Sequence, residues 1–432
     1  MKTLRTSLFI ALGLGAVTSV ASANGFFIFE HDAKPTGRAG AAAATDVDAS
    51  AIVYNPGGIA VGNGTQIQIG GALIAAKGTY TDNSSSPQST STDNAPAVVP
   101  SFFATTRLTD LIAVGFGVHL PFGLAISWPT DSPQADVSLK SSLRTYFLTP
   151  AVGLNLNKFV PGLSLGAGLD LVPATVELEQ AVTFGDTVGN AKLGGKAFGV
   201  GARAGVQFVP EALSALKLGV AWRSQINLDF KGDGDFDIAE PFRSQLPPDG
   251  EIATTIKLPQ QFTGGVAYDV LPALQLEVNA VWTNWSKFKE INIDLPGDAP
   301  NQVRPQDYKN TVTLRVGAEY KLPKQHAAVR IGYIYDPTPI PATTISATLP
   351  DANRNDVTVG GSYSFGNYDV SLAALAVLPS TKSTANDPAR PYEPFFQGEY
   401  KVSAFVASLT LSTRFGGGAA RPSAGTGTIT RR

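Results

Sequence analysis

The 432-residue sequence has no cysteine, one methionine and three histidines. A disulfide framework, a thiolate nucleophile and a cysteine-based metal site are therefore excluded. His31, His119 and His326 lie too far apart in sequence to read as a metal-ligand pair. Charge is scarce as well: Asp, Glu, Lys and Arg make up 16% of the chain, against about 25% in an ordinary globular domain. The signs nearly balance, 33 basic against 35 acidic for a net of -2, so the basic excess of a nucleic-acid binder is missing. Beyond the first two dozen residues, no apolar run approaches the roughly 18 residues of a spanning helix. Glycine (44) and proline (30) are abundant, as expected of many short strands and turns rather than helices.

The start of the chain is a targeting segment. Lys2 and Arg5 precede the apolar run Leu8 to Val17, and Ala21-Ser22-Ala23 is a small-x-small cleavage site. Residues 1–23 are expected to be a signal peptide, with the mature chain starting at Asn24. An exported chain without spanning helices is periplasmic, extracellular or an outer-membrane barrel.

Period-two alternation then recurs along most of the chain. Leu274, Leu276, Val278, Ala280 and Trp282 share one face, and Gln275, Glu277, Asn279 and Val281 the other. Val312, Leu314, Val316, Ala318 and Tyr320 oppose Thr311, Thr313, Arg315, Gly317 and Glu319. Over 216–230 one apolar face is read through Leu216, Leu218, Val220, Trp222, Ile226, Leu228 and Phe230. A soluble sandwich would alternate too, so strand ends and connections decide. The apolar faces end in Trp222, Trp282, Trp285, Tyr320, Tyr333 and Tyr335, an aromatic girdle. Short connections at 107–110, 271–273 and 365–368 alternate with long ones at 79–97, 125–142, 231–250, 286–307, 336–353 and 379–399. This is the pattern of an outer-membrane barrel.

The fold class is all-β: a fourteen-stranded antiparallel transmembrane β-barrel over 65–415, with an N-terminal plug, or hatch, over 24–64. The strands are centred near 70, 102, 117, 149, 169, 202, 222, 262, 279, 315, 331, 360, 373 and 408. Each strand with its connection has about 25 residues, ample for the 9–11 that span a bilayer. The barrel must close, because lipid offers a free edge no hydrogen-bond partner. The last strand ends at Phe415, and residues 416–432 read as a disordered polar tail. Residues 24–64 do not alternate and are too small and Ala-rich for a core of their own. They suit a plug inside the barrel or, equally, a periplasmic extension.

At this point the residues carry a family likeness. Gly25-Phe26, Gly37-x-x-Gly40-Ala41 and Asp48-Ala49-Ser50-x-x-x-Tyr54-Asn55-Pro56 resemble the hatch of the FadL/TodX outer-membrane transporters. Trp222-Arg223-Ser224 with Asp229-Phe230-Lys231-Gly232 is similar to their seventh strand. Leu258-Pro259 and Trp282-Thr283-Asn284-Trp285-Ser286-Lys287-Phe288 are similar to the eighth and ninth. Asp336-Pro337-Thr338-Pro339 and Leu349-Pro350-Asp351-x-x-Arg354 resemble the loop entering the twelfth. The family's Asn-Pro-Ala stands here as Asn55-Pro56-Gly57. The resemblance implies passive uptake of long-chain fatty acids or aromatic hydrocarbons. Ligand would be caught between outer loops, passed to a lumenal site, released by a hatch shift, and let out sideways through a kinked third strand. The expected localisation is the bacterial outer membrane, as a monomer with no cofactor, no metal and no nucleic-acid partner.

Three groups of residues follow as candidates. By alternation Arg203, Arg223, Lys257, Lys309, Arg315 and Arg330 are expected to face the lumen. There they either pair with Glu277, Glu319 and Asp229 or bind a ligand carboxylate. Lys309 lies at a position similar to a lumenal lysine of the family, while Pro173, Ala174 and Thr175 stand where its partner on strand five would be. Tyr54, Asn55, Pro56, Gly57 and Gly58 are expected to form a fixed hatch turn, with glycine allowing a positive φ. Gly117, His119, Pro121 and Gly123 are expected to bend the third strand inward and open a lateral window, since proline and glycine break a regular central strand. Gly162-Leu163-Ser164-Leu165-Gly166 matches a nucleophile elbow, so a lipid esterase is the alternative of another class, but no helix follows it. A general aqueous porin would need a constitutively open pore.

Overall fold

The computed structural model describes residues 25–385 and 397–416. Residues 1–23, most of the tail and part of the 379–399 connection lie outside them. Fourteen staves follow one another: β1 (Thr65–Asp82), β2 (Ala97–Arg107), β3 (Ile112–His119 and Gly123–Ser127), β4 (Lys140–Thr145 and Phe147–Asn155), β5 (Leu163–Phe184), β6 (Thr187–Phe208), β7 (Leu216–Arg223 and Ile226–Asp237), β8 (Gly250–Leu258 and Gln261–Leu271), β9 (Leu274–Thr283 and Glu290–Asp294), β10 (Gln302–Pro305 and Thr311–Leu322), β11 (Ala327–Asp336), β12 (Arg354–Phe365), β13 (Tyr368–Ser383) and β14 (Gly398–Phe415). Every expected strand centre falls within one of them. Each stave pairs antiparallel with the next, and β14 returns to β1 from Thr65↔Phe415 to Asp82↔Gly398. The sheet is thereby closed.

Burial shows which solvent the wall was built for. On β10, Val312, Leu314 and Val316 are 46%, 46% and 45% exposed, whereas Thr313 and Arg315 are 0% and 4% exposed. A water-soluble sandwich would have this inverted, so the apolar face meets lipid. Aromatic residues band both ends of that face. Trp222, Phe262 and Trp282 follow one another across β7, β8 and β9 with centroids 6.4 and 5.9 Å apart. Tyr363, Phe365 and Tyr368 do the same at the periplasmic turn of β12 and β13, at 6.3 and 5.7 Å.

Three readings of the pattern are corrected. Trp285 is not a girdle residue: it is fully buried and packs edge-on against Phe26, 5.0 Å away. The apolar face of 216–230 is not continuous. β7 is interrupted between Arg223 and Ile226, which reverses the parity, so Trp222 faces outward and Ile226, Leu228 and Phe230 face inward. Beyond that break the outside of the wall is in water, and apolar and polar positions exchange sides. Finally, the outer β5–β6 connection is short, only residues 185 and 186 between two 22-residue strands. Outside the bilayer the hairpin ribbon solvates its own edges and needs no loop.

Residues 25–64 are packed within this wall. Ala33–Gly37 forms α1, Ala51–Tyr54 forms α2, and Pro56–Ala60 a 3-10 turn. Small residues on the inward face make the room. A Cβ on Gly317 would stand 2.4 Å from the Arg38 carbonyl oxygen, and one on Gly219 2.1 Å from that of Ala43.

Candidate ligand-binding site

The N-terminal segment and the wall meet along two different kinds of contact. On the periplasmic side they are ionic. Lys34 Nζ lies 2.8 Å from Asp48 and 3.3 Å from Asp369 of β13, and Arg414 of β14 is 2.7 Å from Asp48. Arg38 is 3.8 Å from the buried Glu277 of β9. Asp32 caps α1 through Lys34 N and also accepts from Ser50 Oγ (2.6 Å) and Gln68 Nε2 (3.2 Å). Burial, with Asp48 and Asp32 beside it, pushes the Asp46 carboxyl up to about 8.

The turn at Asn55 is fixed by its own side chain. Oδ1 accepts from Gly57 N at 3.0 Å, and Nδ2 donates to the carbonyls of Ala43 (2.7 Å) and Val206 of β6 (2.9 Å). Tyr54 OH donates to Phe29 O at 2.8 Å. Pro56 opens the 3-10 turn, where its missing N–H costs nothing. The expected positive φ is corrected: neither Gly57 nor Gly58 has one. Gly58 is required by close approach, since a Cβ there would lie 2.0 Å from the Asp46 carbonyl oxygen.

On the other side of the segment, contacts are aromatic. Phe27, Phe29 and His31 border a cavity of about 70 Å³ whose wall includes Arg203, Arg223 and Arg315. The cations fall into two kinds. Arg203 is neutralised: it is 2.8 Å from Asp170 of β5, and it also donates to Ile52 O and contacts His119 Nε2. Arg330 is 2.7 Å from Glu319 and faces the periplasmic vestibule. Arg223 and Arg315, 8% and 4% exposed, have no carboxylate oxygen within ion-pair distance among the described residues. Arg223 lies over Phe122 (4.5 Å) and Phe27 (5.1 Å), held by Gln261 at 2.8 Å. Arg315 lies over Phe29 at 4.0 Å. The Nε of each lacks a hydrogen-bond partner. Burial and the two arginines Arg203 and Arg223 hold the His31 imidazole down at about 3, so it adds no charge to the cavity.

Two expected lumenal cations are not there. Lys257 projects to the outside of β8, above the bilayer, because the parity break that flips β7 also flips β8 between Leu258 and Gln261. Lys309 is exposed in the coil before Thr311, its backbone N bonded to Pro339 O. Asp229 likewise faces outward. The fold also brings together what sequence distance separated: His31 and His119 meet edge-on with ring centroids 5.3 Å apart. Asp170 was missed, although a single acid within Leu169-Asp170-Leu171 is a signal in a membrane stave.

β3 is broken beside this cavity. Leu120 and Phe122 turn inward, and the N-terminal segment takes up their backbone: Ile28 N donates to Pro121 O (2.8 Å) and Gly123 N to Phe26 O (2.9 Å). β2 and β3 pair only from Phe102↔Val118 to Arg107↔Ala113. Above that, the described residues show no ladder between Ala97–Ser101 and β3 until Asp93 N meets Ser127 O at 3.1 Å. The wall thus has a gap bordered on its inner side by Phe122. Gly117 lies within the regular ladder below the break, opposite Phe103, and Gly123 resumes the strand above it.

Ser164 is the second residue of β5, opposite Asn155 and Gln207, and the strand runs on to Phe184 with no helix after it. The strand-to-turn geometry of a nucleophile elbow is absent there.

Comparison with known proteins agrees with this architecture. Residues 14–415 match the family model described as outer membrane protein transport protein (OMPP1/FadL/TodX). The chain is 25% identical over 455 residues to the long-chain fatty acid transport protein of Escherichia coli K12, covering 95% of this chain and 99% of that protein. It is 26% identical over 441 residues to a 47 kDa outer membrane protein of Pasteurella multocida, covering 95% and 98%. Among solved structures, a Pseudomonas aeruginosa FadL homologue superposes with a TM-score of 0.79 at 20% identity, covering 91% of this chain and all of that one. The P. putida toluene transporter TodX superposes at 0.72 and 18%, covering 90% and 99%. The chain belongs to the FadL/TodX family of outer-membrane transport proteins.

Proposed function

We propose that the protein is a passive uptake channel for long-chain fatty acids or similar carboxylate-bearing hydrophobic molecules. The observation that carries this reading is the pair Arg223 and Arg315. Both are buried against aromatic rings and line one cavity, and neither has a carboxylate at ion-pair distance among the described residues. A buried guanidinium that makes no ion pair still has donors to offer, and a ligand carboxylate can complete one. A hydrocarbon ligand would not.

The cavity, at about 70 Å³, is smaller than the 150 Å³ or so that admits benzene. Any ligand of this class must therefore displace residues 25–64, the hatch. The natural first movers are Phe27 and Phe29, which lie under the two arginines. Ile28 and Phe26 also hold the inward bend of β3, so the same movement frees Leu120–Phe122. Ligand then leaves through the gap between β2 and β3 into lipid. Diffusion down a gradient drives the whole path, with no catalytic step at Ser164. The test is uptake of labelled oleate by cells lacking their own long-chain transporter, with cysteines placed at Val99 and Leu124 in this cysteine-free chain. Cross-linking is expected to stop uptake while reduction restores it; uptake unaffected by oxidation would refute the lateral route.

A further inference from the structure

A groove of about 620 Å³ opens on the outer wall where β7, β8 and β9 rise beyond the Trp222–Phe262–Trp282 band. It comes from a break in pairing. β8 and β9 are laddered up to Gln261↔Thr283 and again only at Ala253↔Asp294 and Thr254↔Ile293, leaving 255–259 and 285–291 apart. Phe230 and Phe288, both buried, form the floor, and Lys231, Lys257, Lys287 and Lys289 stand exposed on the rim. A fifth lysine, Lys196 of β6, lies directly opposite Lys231 in the antiparallel register, an arrangement that is repulsive by itself.

Four lysines and three carboxylates, Asp229, Glu290 and Asp294, line the groove, so basic charge is in excess there. Asp229 accepts from Thr255 Oγ1 (2.7 Å) and Asp294 from Asn301 Nδ2 (2.6 Å) rather than from a lysine. By contrast, the outer-wall lysines Lys140 and Lys192 on β4 and β6 sit within 4.0 Å of Glu177 and Glu179. Among the described residues, none of the five groove lysines has such a partner. Lys257 lies five positions above Phe262, and at about 3.3 Å per residue along a tilted strand this is the level of the outer-leaflet headgroups.

We propose that this groove binds the phosphate groups of an outer-leaflet glycolipid. Several lysines converging on one anion suit a multiply charged phosphate, for which lysine acts as a point charge. The four lysines face away from the lumen, and none of them lines the cavity at Arg223 and Arg315.

The experiment is native mass spectrometry of the full chain in detergent. It is titrated with bis-phosphorylated lipid A, with the same lipid stripped of phosphate, with inorganic phosphate and with oleate. One phosphorylated lipid A is expected to bind, and replacing Lys231, Lys257, Lys287 and Lys289 by Gln should weaken it roughly a thousandfold. Replacement by Arg should retain it, and heat-dependent gel mobility confirms a folded barrel in each case. Equal binding of the dephosphorylated lipid, lysine-dependent binding of oleate or of inorganic phosphate alone, or retention in the Gln variant would each overturn the proposal. Arg315→Leu is expected to leave lipid A binding unchanged, so this site and the fatty-acid site fail or stand independently.

Discussion

The two ends of the hatch are held by opposite chemistries. Toward the periplasm, Lys34, Arg38 and Arg414 each face a carboxylate: Asp48, Asp369 or Glu277. Toward the cavity, Arg223 and Arg315 face the rings of Phe27, Phe122 and Phe29. Completed ion pairs have little to gain from a ligand's charge. Guanidiniums resting on aromatic faces, with no ion pair among the described residues, have much to gain. On the proposed reading, one end of the segment anchors it and the other senses ligand.

The coarsest way to break this comparison is to remove the segment altogether. Deleting residues 25–64 should turn a closed barrel into one with steady ionic conductance in planar bilayers, because among the described residues this segment is what fills the lumen at that depth. A silent deletion variant would mean that the wall closes itself. Next in size is the cavity end. Arg315→Leu or Arg223→Leu should weaken oleate binding by about 2–5 kcal/mol, the usual cost of losing one partner of a buried charge pair, and isothermal titration reads this directly.

A packing change comes third. Gly166→Val places side-chain carbon where a Cβ would already be 2.1 Å from Pro56 O, so the hatch turn should lift and channel openings become frequent, with less loss of barrel stability than of closure. The anchoring end should respond least to a single substitution: Arg414→Gln removes a half-exposed partner of Asp48, a change of about 1 kcal/mol or less. It does have a pH signature. The folded Asp46 carboxyl is raised to about 8 from 3.8, so its contribution to hatch docking is fully present below about 4 and is lost as pH rises through about 8. Opening frequency should climb over that window in the native chain and stay level in Asp46→Asn.

The sequence was most legible where lipid imposes a rule on every residue. Alternation such as Val312, Leu314 and Val316 against Thr313 and Arg315 yields strand, face and closure together, and all fourteen staves could be placed from it. It was least legible where a strand breaks. The interruptions after Arg223 and Leu258 invert parity within two or three residues, which moved Lys257 and Asp229 to the wrong side. Lys309 was misplaced for a related reason, since it lies just ahead of the stave whose alternation was extended to it. The pairing of lumenal charges was illegible in a different way. Arg203 with Asp170 joins neighbouring staves two residues off direct register, and Arg38 with Glu277 joins the N-terminal segment to the wall; the alternation of a single strand encodes neither. The family likeness supplied the hatch and the transport reading, but not which cations make no ion pair.

The central claim is that Arg223 and Arg315 select for a carboxylate. The most direct measurement is the affinity of the native chain and of the Arg223→Leu/Arg315→Leu variant for oleate and for methyl oleate, which share the chain and differ in charge. The account predicts that the native protein strongly prefers oleate and that the variant binds both esters and acids alike through their hydrocarbon. A native protein indifferent to the charge, or a variant that keeps the preference, would contradict it.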